Sequence, residues 1–190
     1  MRRMVSYGHS WIDGDGASMP ALCLAARAAA GLGLELDNRG VGGSSSTGTA
    51  ALVRASAPPT AALYLLMTGL NDLRLGGESP SSLENYAGAL RTILAAFRRA
   101  GPGALVIAVA QPPLLDFSLH APHNRGSNNL VKVYNDQLRR VAGGFPGVVV
   151  AEADDWDAGT MLAEDTVHAN DAGHECLARA VVAAATAAWQ

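Results

Sequence analysis

The stretch Met4-Val5-Ser6-Tyr7-Gly8-His9-Ser10-Trp11 decides how this chain is read. A short apolar run, Met4–Gly8, ends in Gly-His-Ser, the pattern of a buried strand that delivers a hydroxyl to its carboxyl end. Outward from it, apolar runs alternate with helix-period stretches. Leu34–Asn38, Ala61–Thr68, Ala104–Ala110 and Gly147–Ala151 read as further strands. Between them the spacing predicts helices at Ser18–Ala30, Thr49–Ala57, Pro80–Ala100, Leu130–Ala142 and Asp171–Ala188. Ser18 would cap the first of these with Pro20 in its first turn, and Pro58-Pro59 and Gly101-Pro102-Gly103 punctuate the alternation.

Strands that alternate with helices need crossover connections. The result is a parallel sheet with both faces covered. The expected class is therefore α/β, a three-layer α/β/α sandwich with a five-stranded parallel sheet in the flavodoxin-like order 2-1-3-4-5. That order opens a crevice at the carboxyl ends of strands one and three. No linker or internal repeat interrupts the 190 residues, so one domain over 1–190 is expected.

A hydrophobic fraction of 49% against 16% charged residues describes a chain with a core to bury, not a disordered one. The net charge of -3 and the lack of a basic stripe argue against nucleic acid as a partner. No segment is long and apolar enough to span a membrane; the Ala-rich stretch after Gly173 carries His174, Glu175 and Arg179 and reads as an amphipathic helix. Arg2-Arg3 precede an apolar run too short for a signal peptide, which makes a cytoplasmic location the expectation. Cys23 and Cys176 read as buried free thiols, and no zinc spacing exists.

Four polar islands carry the chemistry: Gly8-His9-Ser10, Asn38-Arg39-Gly40-Val41-Gly42-Gly43, Gly69-Leu70-Asn71-Asp72 and Asp165-Thr166-Val167-His168. Each alone has a plain reading. Ser10 could cap a turn, Gly43 could be flexible loop, Asn71 a turn residue, and His168 a surface residue before a helix capped by Asn170. In this order after these elements they suit nucleophilic catalysis. A serine hydroxyl attacks poorly until a base takes its proton, and a neutral imidazole is the side chain best suited to do so. An aspartate three residues before the histidine can hold its tautomer. Charge developing on an attacked carbonyl could be met by the Ser10 and Gly43 N–H groups and the Asn71 amide.

These blocks resemble the GDSL, or SGNH, hydrolases, whose four blocks carry a Ser, a Gly, an Asn and a His in that order. Here they map to Ser10, to Gly43 in Asn38-x-Gly40-x-x-Gly43, to Asn71, and to His168 with Asp165. Val167 to His174 is similar to the family's usual ending, and the resemblance spans almost the whole chain. It implies a catalytic triad of Ser10, His168 and Asp165, an oxyanion hole at Ser10, Gly43 and Asn71, no cofactor and no metal. The substrate would be a small-molecule ester cleaved through an acyl-serine intermediate. One position departs from the pattern: the family's aspartate before the serine is His9.

The loop Gln111–Asn129 is long enough to be a lid or pocket wall. Leu114, Leu115, Phe117 and Leu119 in it would line an acyl site or pack down as a satellite core. His9, Trp11, Leu114 and Phe117 are candidate substrate contacts. His120 and His123 lack a third ligand for a metal. His174 reads as a solvent-facing or packing residue, and Asp154, Asp155 and Asp157 as a solvated loop. Gly42-Gly43-Ser44 lacks the ending of a Walker loop.

Three other functions compete with ester hydrolysis. An acyltransferase would use the same acyl-enzyme. A magnesium-dependent phosphatase would use Asp13-Gly14-Asp15-Gly16, Thr68, Lys132 and Asp154-Asp155, but its nucleophile should end strand one and Asp13 comes late. A binding module would keep a worn pocket, and the intact Ser, Asn, Asp and His argue against it.

Overall fold

The computed structural model describes residues 2–190. The runs with the most continuous apolar character sit at the sheet's centre: β1 (Arg3–Gly8), β3 (Leu63–Met67) and β4 (Leu105–Val109), with β3 and β4 buried along their whole length. β2 (Glu35–Gly40) and β5 (Val148–Ala151) are half-buried, as edge strands are when only one side has a neighbour. All pairings are parallel, in the order β2-β1-β3-β4-β5, so the expected class and topology both hold.

The helices are α1 (Ser10–Asp13), α2 (Leu24–Gly31), α3 (Ser46–Ala55), α4 (Leu70–Gly76), α5 (Pro80–Ala100), α6 (Asn128–Ala142), α7 (Ala158–Met161) and α8 (Asp171–Ala188). They form two packed groups: α2 with α8 and α7, and α5 with α3, α4 and α6. On the second side Phe97 of α5 stacks on Tyr64 of β3 at 4.6 Å between ring centroids and meets Tyr7 of β1 at 5.3 Å. Truncating a buried ring of this kind costs about 3–5 kcal/mol, so this stack is one of the larger single contributions to the core.

Several elements differ from expectation, each for a local reason. The stretch after Ser18 is not helical from its start. A single 3-10 turn, Pro20–Leu22, comes first, and α2 begins at Leu24 with the Cys23 Sγ accepting the Ala26 N–H. Ser18 instead donates its N–H and hydroxyl to the Asp171 carboxylate at 2.8 and 2.6 Å, a tertiary partner at the head of α8. Helix α3 starts at Ser46, three residues before the expected Thr49, because Ser45 Oγ accepts the Gly48 N–H and caps it. The short helices α1, α4 and α7 were not expected, since so few turns show little periodicity.

Both cysteines are free and buried. Among the described residues no helix is long and apolar enough to cross a membrane.

Candidate active site

The site is assembled at the carboxyl ends of β1 and β3. Gly8 closes β1 with φ +148°, and a Cβ there would strike the Met67 carbonyl oxygen of β3, so only glycine lets the two strands end together. His9 is the extended N-cap of α1, its Nδ1 accepting the Trp11 N–H at 3.3 Å. Ser10 is then the first residue of α1, largely buried but open to a cavity of about 290 Å³.

After β2 the chain is pinned back onto α1 and β1. Asn38 donates to the Ile12 carbonyl at 2.8 Å and accepts from Ser6 Oγ at 2.8 Å. Asp13 accepts the Gly42 N–H at 3.0 Å, and Ser44 Oγ donates to the Gly8 carbonyl at 3.1 Å. Gly43 lies within this braced loop at φ +72°, with nothing within 4 Å of where a Cβ would be. From the other side, α4 brings Asn71, whose amide donates to the Ser44 carbonyl at 2.9 Å. That bond uses one of its two N–H groups. Among the described residues, neither the Ser10 nor the Gly43 N–H donates to a backbone carbonyl.

Asp165 and His168 sit on a tight turn before α8, with Thr166 at φ 62°. Asp165 Oδ1 accepts the Val167 and His168 N–H groups, both at 2.9 Å, and Oδ2 accepts the His168 Nδ1–H at 2.5 Å. Burial pushes the Asp165 carboxyl up, but these bonds outweigh it and hold it below the usual carboxylate range. With the proton on Nδ1, His168 Nε2 carries the lone pair. The turn is anchored to α1 by Trp11, whose Nε1–H donates to the Val167 carbonyl at 3.1 Å and whose ring stacks on Trp156 at 5.4 Å.

Ser10, Gly43, Asn71, Asp165 and His168 all line the one cavity, although four different segments supply them. Four residues without a role in the sequence reading of this site line it too: Asp15, Arg74, His120 and His123. Asp15 Oδ2 lies 3.9 Å from His168 Nε2. His120 Nε2 donates to the Asp165 carbonyl at 2.9 Å, docking the long loop against the histidine turn. Arg74 follows Asn71 by three residues and so shares its face of α4, a helix too short to be read from the sequence.

The four candidate substrate contacts lie elsewhere. His9 and Trp11 are fully buried, Leu114 is 1% and Phe117 9% exposed, and none lines the cavity. Neighbours of Ser10 in sequence point inward because α1 turns them away from the cavity. Leu114 and Phe117 pack down into the main hydrophobic core rather than forming a separate satellite core. Asn128 and Asn135 of α6 each exchange two hydrogen bonds with the loop backbone, at Leu114 and Gln111, and press it down. Leu115 and Leu119 remain exposed. Asp13 does not line the cavity; its carboxylate serves the Gly42 N–H.

Two histidines are buried as neutral rings. His174 accepts the Leu24 N–H on Nδ1 at 3.1 Å and donates Nε2–H to the Asp15 carbonyl at 3.1 Å, so it is a packing residue that orients the Asp15 backbone. Burial lowers its pKa. Burial also lowers His9, to about 3; Gln111 lies beside its Nε2, but without a hydrogen bond of good geometry. In the unfolded chain both rings take up a proton below about pH 6.5, while the folded state resists it. The unfolded state therefore binds more protons there, and stability must fall as pH falls below that value. Urea unfolding between pH 7 and pH 5 should show stability falling with pH, His9 contributing a loss of up to about 1.4 kcal/mol per pH unit and His174 acting in the same direction. His9→Asn keeps an acceptor for the Trp11 N–H and should flatten the slope; an unchanged slope would show that His9 does not contribute.

The model of the GDSL-like lipase/acylhydrolase family matches residues 6–176. Several solved structures share the fold. An alpha/beta hydrolase enzyme, LAE5, from the metagenome of Lake Arreo, Spain, superposes with a TM-score of 0.70 at 23% identity, covering 97% of this chain and 95% of that one. A member of the lipolytic G-D-S-L family from Veillonella parvula gives a TM-score of 0.72 at 18% identity, over 98% of this chain and 99% of that one. A carbohydrate esterase family 2 enzyme with a carbohydrate binding domain, from Corynascus thermopiles, gives 0.77 at 14% identity, over 99% of this chain and 66% of that one. A search of curated proteins finds no significant match.

Proposed function

Because the chain belongs to the GDSL-like lipase/acylhydrolase family, we propose that it hydrolyses a small carboxylic ester through an acyl-Ser10 intermediate. The observation that carries this reading is the pairing of Asp165 with His168 Nδ1, which leaves Nε2 free in the cavity that Ser10 lines. His168 Nε2 takes the Ser10 hydroxyl proton as Oγ bonds to the carbonyl carbon. Negative charge collects on the carbonyl oxygen, where the Ser10 and Gly43 N–H groups and the second Asn71 N–H would meet it. The tetrahedral species collapses, the C–O bond to the alcohol breaks, and the imidazolium returns its proton to the leaving oxygen. Water then repeats the sequence on the acyl-enzyme: its proton passes to His168, its oxygen bonds to the acyl carbon, and Ser10 is released. Asp165 stays ionised throughout and steadies the imidazolium.

The cavity is at the small end of ligand pockets, which usually reach about 300–1,000 Å³, and suits a short acyl group. A panel of 4-nitrophenyl esters graded from acetyl to decanoyl tests the proposal. Turnover should be highest for the short members, with acid release matching phenol release. Phenol release without matching acid, once an alcohol acceptor is supplied, would make the enzyme an acyltransferase. No ester cleaved above the Ser10→Ala background would remove the hydrolase reading.

A further inference from the structure

Arg74 is a cation in the cavity wall that the protein leaves unanswered. The residue is 5% exposed, its Nε is buried without a hydrogen-bond partner, and it lines the same cavity as Ser10, Asn71 and His168. Among the described residues no carboxylate comes within ion-pair distance of its guanidinium. A guanidinium cannot shed its proton at any pH the fold survives. A buried charge is normally paired, because desolvating it alone is costly.

The charge is directed at the site. Asn71 and Arg74 occupy one face of α4, and Asn71 faces the cavity through its bond to Ser44. His123 and Asp165, both in the cavity wall, feel the Arg74 charge: it adds to the burial that lowers the His123 pKa, and Asp165 in turn opposes the burial that lowers Arg74. The acids nearby have other work. Asp165 already accepts three hydrogen bonds from its own turn, and Asp15 faces His168 Nε2.

We propose that Arg74 is a specificity residue that binds a carboxylate carried by the ester substrate, an inference that rests on the ester-hydrolase reading above. A guanidinium meets a carboxylate through two parallel N–H donors, and this charge-assisted pairing is about twice as strong as a neutral hydrogen bond. Arg74 stands three residues from Asn71 on the same face of α4, so an ester that carries a carboxylate a few bonds from its reacting carbonyl can reach both side chains.

Matched substrates that differ only in charge test this. One pair puts the charge on the acyl side: monomethyl glutarate against its neutral amide, methyl glutaramate. The other puts it on the alcohol side: 3-acetoxybenzoate against 3-acetoxybenzamide. In the wild type, kcat/KM should favour the carboxylate member of at least one pair by about ten-fold or more, the gain expected of a charge-assisted bond. The pair that responds identifies the side of the ester that carries the anion. Arg74→Gln should bring that ratio to near one, and Arg74→Lys should keep part of it.

Ratios near one in the wild type, or a ratio unchanged in Arg74→Gln, would overturn the proposal. So would an equal loss on both members of a pair, which would make Arg74 a support for Asp165. If Arg74→Gln does not fold, the wild-type ratios decide. If the wild type cleaves no ester, the hydrolase reading fails separately. Calorimetry of the Ser10→Ala protein with monomethyl glutarate and with the amide then decides on Arg74: tighter binding of the carboxylate upholds it, and equal or absent binding overturns it.

Discussion

Ser10→Ala is expected to lose about 10⁴- to 10⁶-fold in kcat/KM while the fold stays intact. The size follows from the mechanism: without the hydroxyl no acyl-enzyme can form, and only binding and the oxyanion donors act on water. The structural cost is small. Ser10 caps nothing with its side chain, since the N-cap of α1 is His9, and removing one small hydroxyl at a cavity wall shifts stability by about 0.5 kcal/mol or less. Thermal melting alongside steady-state kinetics checks both halves. A variant that keeps more than about one per cent of wild-type activity would mean another group attacks.

His168→Ala should be comparably damaging, at about 10⁴- to 10⁶-fold, and Asp165→Asn milder by one to two orders of magnitude. The asymmetry comes from the geometry. Losing the imidazole removes the base outright. An asparagine at 165 can still accept the Val167 and His168 N–H groups through one oxygen, so the turn survives. What it loses is the acceptor for Nδ1–H, and with it the tautomer that leaves Nε2 free. His174→Ala is the control. That ring is fully buried and bonded to Leu24 and Asp15, so its loss should lower the melting temperature and spare the chemistry of the folded fraction. A folded His174→Ala protein as inactive as His168→Ala would show that the base has been assigned to the wrong histidine.

The sheet was legible because β3 and β4 are buried on both faces and read as unbroken apolar runs, and β1 is apolar apart from Arg3 and Ser6. The edges were less so: β2 is Glu-Leu-Asp-Asn-Arg-Gly and extends two residues beyond the expected strand, its Asn38 bonding to Ser6 of β1 and to the Ile12 carbonyl of α1. The four motif residues with Asp165 were legible as types at expected places, and the structure brings all of them to one cavity. Their proposed roles rest on that geometry and on the family.

What sequence could not show was direction. Trp11 adjoins Ser10 in the chain, yet one step around α1 sends it into the core to hold the Val167 carbonyl. Phe117 lies in the expected pocket wall, yet it packs against Leu73 and Gly126 beneath it. Arg74 was hidden for the opposite reason. A lone arginine in a seven-residue helix looks like ordinary surface charge. Its burial and lack of a partner depend on how α4 seats against the loop, where the Arg74 carbonyl accepts the Arg125 N–H at 2.9 Å.

Ser10 is the proposed nucleophile. Three other serines lie close by in sequence to the cavity loop, but each hydroxyl is engaged: Ser44 with the Gly8 carbonyl, Ser45 as the cap of α3, and Ser46 with Asp72. Treating the wild-type protein with a fluorophosphonate and mapping the adduct by peptide mass spectrometry tests the claim most directly. One adduct is expected, on Ser10, absent from Ser10→Ala and strongly reduced in His168→Ala. An adduct on Ser44, Ser45 or Ser46, or labelling of Ser10→Ala at the wild-type rate, would contradict it.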